Sequence, residues 1–266
     1  MKCSRPIYAL DLGVKENGKR NLKILPRRVD LYSMKQLSER YGKDRIIPLP
    51  CGKCLACKLN HAKEWAVRCT LEATLHDENW FVTLTYDDEH LPADGALQRG
   101  DIVKFLKRLR ARLGSFRYFG CGEYGSKNKR PHYHLILFGL EIPDLRPLSA
   151  GLFESKIIRE IWPYGFNYIG SVNYSSCNYV ARYTTKKCFN DIQDEFIMCS
   201  LKPGIGSKWF EENHQRVMNY DCIYGKFGNT EQVMLPRYFE KMAEALDNAK
   251  YVELKAKRID KSTCFQ

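Results

Sequence analysis

No stretch of the chain is apolar over the roughly 18 residues that a membrane-crossing helix needs, which argues against a helical span. The opening Met1-Lys2-Cys3-Ser4-Arg5-Pro6 lacks the apolar core of a signal peptide, so a cytoplasmic protein is expected. There is no internal repeat and no low-complexity linker, which excludes solenoid and array architectures. Acidic side chains are in deficit: 31 Asp+Glu stand against 43 Lys+Arg, leaving a formal charge of +12. A surplus of that size suits a polyanionic partner, most simply nucleic acid. Apolar residues make up 44% of the 266, which excludes wholesale disorder and allows one sizeable core with elaborations or two small domains. Cysteine is the residue not in short supply. The eleven thiols cannot all pair within one chain, and in a reducing compartment clustered cysteines point to metal rather than to disulfides.

The thiols concentrate in Pro50-Cys51-Gly52-Lys53-Cys54-Leu55-Ala56-Cys57, which runs into a helix expected to reach His76. Cysteines at this spacing can turn their sulfurs inward onto one zinc ion. A tetrahedral site needs a fourth ligand, and Cys3, His61 and Cys69 compete for it. Cys69 is the weakest, because a continuous helix would carry it roughly 18 Å from Cys57. Buried thiols acting as small apolar groups are the alternative, and nothing else in the chain implies the redox chemistry of an iron–sulfur cluster. Upstream, Asn17-Gly18 between Tyr8–Val14 and Leu22–Leu25 signals a hairpin, and Leu31–Tyr41 a short helix.

Beyond residue 79 the pattern becomes regular. Trp80–Tyr86 reads as a strand, and Asp101 is expected to cap a helix that buries Ile102, Phe105, Leu106 and Leu109 and stops at Gly114. Phe116–Tyr124 and His132–Phe138 read as strands joined by the turn-rich Gly125–Arg130, Gly151–Trp162 as a helix, and Phe166–Val172 as a strand. The order β-α-β-β-α-β is the ferredoxin-like unit of the α+β class, an antiparallel sheet whose third strand is central. The expected organisation is a cysteine-rich amino-terminal segment (1–78), this core (79–190) and a largely helical carboxy-terminal extension (191–266) ending in a helix over Arg237–Arg258.

That central strand carries His132 and His134, which share a face because side chains at i and i+2 do. Centring the loop between strands two and three sets Glu123 opposite His132 and Cys121 opposite His134, with opposed Cβ atoms about 5 Å apart. Two imidazoles and a carboxylate with open positions suit Mg²⁺ or Mn²⁺ holding substrate oxygens. Asp87 and Asp88, just past the first strand, are reserve ligands. A nucleophile is available in Asn178-Tyr179-Val180-Ala181-Arg182-Tyr183-Thr184-Thr185-Lys186-Lys187, where Tyr179 and Tyr183 share a helical face and Lys186 follows one turn on. Such a tyrosine pair commonly serves packing; neighbouring cations would favour phenolate against a reference pKa of about 10 and could hold a phosphate.

Taken together, His132-Tyr133-His134 after Glu123, Phe81-Val82-Thr83-Leu84-Thr85 upstream and Tyr179-x-x-x-Tyr183-x-x-Lys186 downstream resemble the two-tyrosine HUH endonucleases. Cys3-x-x-Pro6 and Pro50-Cys51-Gly52-x-Cys54-x-x-Cys57, followed by Trp65 and Arg68, narrow the resemblance to replication initiators of single-stranded DNA microviruses of the gokushovirus type. The likeness runs from about residue 50 to 210 plus the amino-terminal cysteine. It implies a metal-dependent endonuclease with strand-joining activity. A catalytic Mg²⁺ or Mn²⁺ would bind His132, His134 and Glu123, and Tyr179, Tyr183 and Lys186 would act in cleavage through a 5′-phosphotyrosine intermediate. Cys3 becomes the favoured fourth ligand to a structural Zn²⁺ beside Cys51, Cys54 and Cys57. The implied partners are single-stranded origin DNA, a host helicase and host replication proteins, in the cytoplasm of the bacterial host. The rival reading is a non-catalytic, zinc-stabilised single-stranded nucleic-acid-binding protein, which the charge and the 12% aromatic content also suit.

Overall fold

A β-strand sends alternate side chains to opposite faces, and in Asn79–Thr85 that alternation separates Val82 and Leu84 from Phe81, Thr83 and Thr85. In the computed structural model, which describes residues 2–14, 20–26, 31–125, 128–149, 151–186 and 195–263, the two sets face different cores. The chain divides into two compact units, Met1–His61 and Ala62–Gln266.

In the first unit, β1 (Ile7–Val14) lies between β2 (Arg20–Ile24) and β3 (Ile46–Leu49) in an antiparallel sheet, with α1 (Leu31–Tyr41) between β2 and β3 in sequence. The expected Asn17-Gly18 turn lies outside the described residues. The helix after the cysteines, α2 (Leu55–Ala73), ends before His76, because the Asn79 side-chain amide donates to the carbonyls of Ala73 and His76, each at 3.0 Å.

The second unit is built on a seven-stranded antiparallel sheet. Its elements run β4 (Asn79–Thr85), α3 (Arg99–Leu113), β5 (Arg117–Tyr124), β6 (Pro131–Phe138), β7 (Leu145–Ser149), β8 (Leu152–Ser155), α4 (Lys156–Ile161), β9 (Asn167–Ser171), α5 (Tyr174–Lys186) and β10 (Phe196–Cys199). Their order across the sheet is β10-β5-β6-β4-β9-β8-β7, so the strand with both histidines lies between β5 and β4. On one face, Leu84, Tyr133, Leu135 and Leu137 pack with Phe105 and Leu109 of α3 and Ile158 of α4. On the other, Phe119, Ile136 and Phe138 pack with Ala66 and Cys69 of α2 and Val180 and Ala181 of α5. Each fully buried Leu, Ile or Phe contributes about 1.5–3 kcal/mol, so burial on both faces holds β6 rigidly.

Three local expectations are corrected. Residues 151–162 are not one helix: Leu152 and Phe153 pair with Gly170 and Ile169 of β9, and only then does Ser155 cap α4, its hydroxyl accepting from the Ile158 N–H at 3.0 Å. Asp101 lies in the first turn of α3 rather than at its cap, and its carboxylate accepts from the Tyr86 hydroxyl at 2.9 Å. The single terminal helix is two, α7 (Arg237–Leu246) and α8 (Asn248–Thr263) when α6 (Ser207–Tyr220) is numbered first; Asp247 breaks the run by accepting from the Lys250 N–H at 3.0 Å. These helices form a third core with Val67 and Leu71 of α2, and a short hairpin of β11 (Ile223–Phe227) and β12 (Thr230–Val233) joins them. Among the described residues no helix is long and apolar enough to cross a membrane.

Candidate metal centre and tyrosine pair

Among the described residues, two groups of His, Cys, Asp and Glu side chains could hold a metal ion. The first is Glu123, His132 and His134, whose donor atoms all lie within 4.8 Å of one another. The β5–β6 ladder sets Glu123 opposite His132 and Cys121 opposite His134, the pairing that the loop between them implies. Glu123 and His134 are 3% and 6% exposed, while the His132 side chain is 24% exposed and forms the open edge of the group.

Glu123 Oε1 lies 2.8 Å from His134 Nε2 and 4.0 Å from His132 Nε2. On its other side the His134 ring is held by Thr83, whose Oγ1 is 2.9 Å from Nδ1. An imidazole whose Nδ1 donates to a hydroxyl presents a bare Nε2, the form a cation binds. The His134 ring stacks on Phe81 at 5.6 Å between centroids and on Tyr183 at 6.0 Å, which fixes its plane. Two Nε2 atoms and a carboxylate oxygen on rigid strands fit a divalent cation with positions left for other oxygens.

Helix α5 brings the tyrosines to this face. The Tyr179 hydroxyl donates to Glu123 Oε1 at 3.3 Å, and its ring meets that of Tyr183 at 5.2 Å. Tyr179 is 43% exposed and Tyr183 only 8%. Burial raises both phenols above the ordinary tyrosine range; for Tyr183 the neighbouring Tyr179 hydroxyl and Glu123 carboxylate push the same way. Lys186 is the last residue of α5, and its side chain lies outside the described residues. The reserve acids are not part of the group: the Asp87 carboxylate is engaged by His90 and that of Asp88 by Arg130. Thr83 was not legible as part of the site, although a polar residue facing inward on a buried strand is a signal for such a role.

The second group is Cys3, Cys51, Cys54 and Cys57. The Cys54 and Cys3 sulfurs lie 3.7 Å apart and those of Cys51 and Cys57 4.0 Å apart. Four sulfurs at about 2.3 Å from a tetrahedral zinc are about 3.8 Å apart, so the donor set fits that ion. The N–H of Cys51 donates to the Cys3 sulfur and that of Cys54 to the Cys51 sulfur. N–H groups of Cys57 and Ser4 bring the Cys54 thiol down to about 5, whereas burial pushes Cys57 up to about 12. His61 is not in this group, and Cys69 is buried in the second unit.

Residues 79–188, which hold the first group and both tyrosines, match a family model of replication-associated proteins of the ORF2 type. Replication-associated protein ORF2 of Spiroplasma virus 4 is 35% identical over 297 aligned residues, covering all of this chain and 89% of that protein. Replication-associated protein VP4 of Bdellovibrio phage phiMH2K is 35% identical over 246 residues, 85% of this chain and 76% of that protein. Replication-associated protein ORF4 of Chlamydia phage 1 is 30% identical over 230 residues, 77% of this chain and 55% of that protein. No solved structure matches. The chain therefore belongs to the family of phage replication-associated proteins that these three relatives represent.

Proposed function

We propose that the protein is a replication initiator of the HUH kind, which nicks and rejoins single-stranded origin DNA through a 5′-phosphotyrosine for rolling-circle replication of a small phage in the bacterial cytoplasm. The observation that carries the reading is the Tyr179 hydroxyl 3.3 Å from Glu123, on the face shared by His132 and His134. The strand order β9-β4-β6-β5 is also that of the ferredoxin-like unit.

Glu123, His132 and His134 would hold Mg²⁺ or Mn²⁺, which when bound supplies Lewis-acid polarisation of a phosphoryl oxygen. The chain's own contribution is position. Thr83 and Phe81 fix His134, the two-sided packing of β6 fixes the strand, and α5 presents a phenol to the same spot. In cleavage the phenol gives up its proton, its oxygen bonds to phosphorus, the bond from phosphorus to the 3′ oxygen breaks, and that oxygen leaves as a hydroxyl. The ester keeps the phosphate activated, so a later 3′-hydroxyl can reverse the exchange and rejoin the strand. Tyr179, the exposed member, makes the first attack; Tyr183, buried beside it, serves the second once the site has opened. Lys186, one turn beyond Tyr183, holds a phosphate oxygen. Cys3, Cys51, Cys54 and Cys57 hold a structural zinc. Host helicase and other replication proteins would act on the nicked strand.

The test is to incubate the protein with the phage's circular single strand and Mn²⁺ and to look for a denaturant-resistant protein–DNA adduct. Wild type should form it, and omission of Mn²⁺ or the Glu123→Ala change should abolish it. Absence of the adduct in wild type contradicts the reading.

A further inference from the structure

A cavity of about 600 Å³ opens beside the candidate metal centre, where Thr85 of β4 pairs with His132 of β6. That volume is within the range of about 300–1,000 Å³ that holds a small organic group. His132 forms part of its wall, so whatever occupies the cavity adjoins whatever is held at the triad. The rest of the wall combines the ring of Phe166, 55% exposed, with Asp87, Asp88 and Arg130.

These groups are fixed from behind. Arg130 donates from Nη1 to Asp88 at 2.5 Å and from Nη2 to the Tyr86 carbonyl at 3.1 Å. Asp87 Oδ1 accepts from the His90 N–H at 2.9 Å, with His90 Nδ1 at 2.7 Å. Phe166 exchanges backbone hydrogen bonds with Thr85, at 3.0 and 3.2 Å. Gly165 permits that approach: a Cβ there would lie 2.4 Å from the Thr85 carbonyl oxygen. At the other rim, a Cβ on Gly125 would lie 2.8 Å from His132 Cε1, so glycine keeps that side of the imidazole clear. A rigid backbone thus holds an aromatic ring in water at the mouth of a polar cavity, an arrangement that favours a flat ligand lying on it.

The wall chemistry selects the occupant. Two carboxylates repel a phosphate, so the nucleic-acid backbone is a poor fit. An aromatic face accepts any base, and a carboxylate oxygen accepts from the exocyclic amine of cytosine or adenine, which thymine lacks. We infer that this cavity is a nucleobase subsite, stacking an amine-bearing base of single-stranded DNA on Phe166 next to the phosphate at His132. The position of that phosphate rests on the proposed nicking reaction; the base recognition rests on the cavity itself.

The test is fluorescence anisotropy with short labelled oligo(dA), oligo(dC) and oligo(dT), in buffer without Mg²⁺ or Mn²⁺ so that no cleavage occurs. Wild type should bind oligo(dA) and oligo(dC) more tightly than oligo(dT). Phe166→Ala should weaken binding of the first two by about tenfold, the scale of one lost stacking contact, while Phe166→Trp should retain it. Asp88→Asn should narrow the preference against oligo(dT). Equal binding of all three by wild type, wild-type affinity in Phe166→Ala, or equal losses in the Ala and Trp variants with unchanged circular dichroism would each overturn the subsite. The adduct assay on the same preparations separates the two claims. A Phe166 effect without any wild-type adduct overturns nicking alone; an adduct without a Phe166 effect overturns the subsite alone.

Discussion

Glu123 faces His132 directly across the β5–β6 ladder, yet its carboxylate lies closer to Nε2 of His134, at 2.8 Å, than to Nε2 of His132, at 4.0 Å. The diagonal contact shows that one carboxylate reaches both imidazoles, which is what a shared cation requires. Glu123→Gln keeps the shape and removes the charge. Its Mn²⁺ affinity, measured by titration calorimetry, should fall by more than the roughly 10–100-fold that loss of an outer hydrogen-bond partner costs. Unchanged affinity would remove Glu123 from the site.

Thr83 supplies such an outer partner, its hydroxyl 2.9 Å from His134 Nδ1. Thr83→Val preserves the branched shape and removes only that oxygen. Mn²⁺ binding should weaken by roughly 10–100-fold with circular dichroism unchanged. A variant that binds Mn²⁺ like wild type would show that packing against Phe81 alone orients the ring.

Much of this site was legible because strand geometry is strict. The spacing of His132 and His134 fixes a common face, and a short centred loop fixes which residues oppose them, so the pairing of Glu123 with His132 follows before any coordinates. The edge of the sheet was not legible. Leu152–Ser155 is as apolar as the start of a helix, and only pairing with β9, a tertiary contact, makes it a strand. The place of Phe166 was hidden for the same reason: it depends on Gly165 letting two segments distant in sequence touch.

The cysteine group gives a pH-dependent expectation. In the metal-free protein, the N–H groups of Cys57 and Ser4 lower Cys54 to about 5, so the fold favours its thiolate at neutral pH and loses it as pH falls through that value. Cys57, pushed up to about 12 by burial, stays a thiol. Iodoacetamide at neutral pH, followed by peptide mass spectrometry, should therefore label Cys54 before Cys57. Zn²⁺ should protect Cys3, Cys51, Cys54 and Cys57 together. Labelling of Cys57 first, or no protection by Zn²⁺, would contradict this account of the group.

Gly165 has φ 154° and lies against the Thr85 carbonyl, so an added methyl group meets backbone rather than a side chain that could move. Gly165→Ala should cost at least about 1–3 kcal/mol in urea unfolding, the usual scale of one strained backbone residue. A midpoint equal to wild type would mean that the segment relaxes freely.

The central claim is that Tyr179 delivers its oxygen to a phosphate held at Glu123, His132 and His134. It is tested most directly by digesting the adduct formed with Mn²⁺ and single-stranded phage DNA and locating the nucleotide-bearing peptide by mass spectrometry. The account predicts a 5′-phosphate ester on Tyr179 in wild type, transfer to Tyr183 in Tyr179→Phe, and no adduct when both tyrosines are phenylalanine. A full-strength adduct in the double variant, or a linkage to any residue outside this pair, would contradict it.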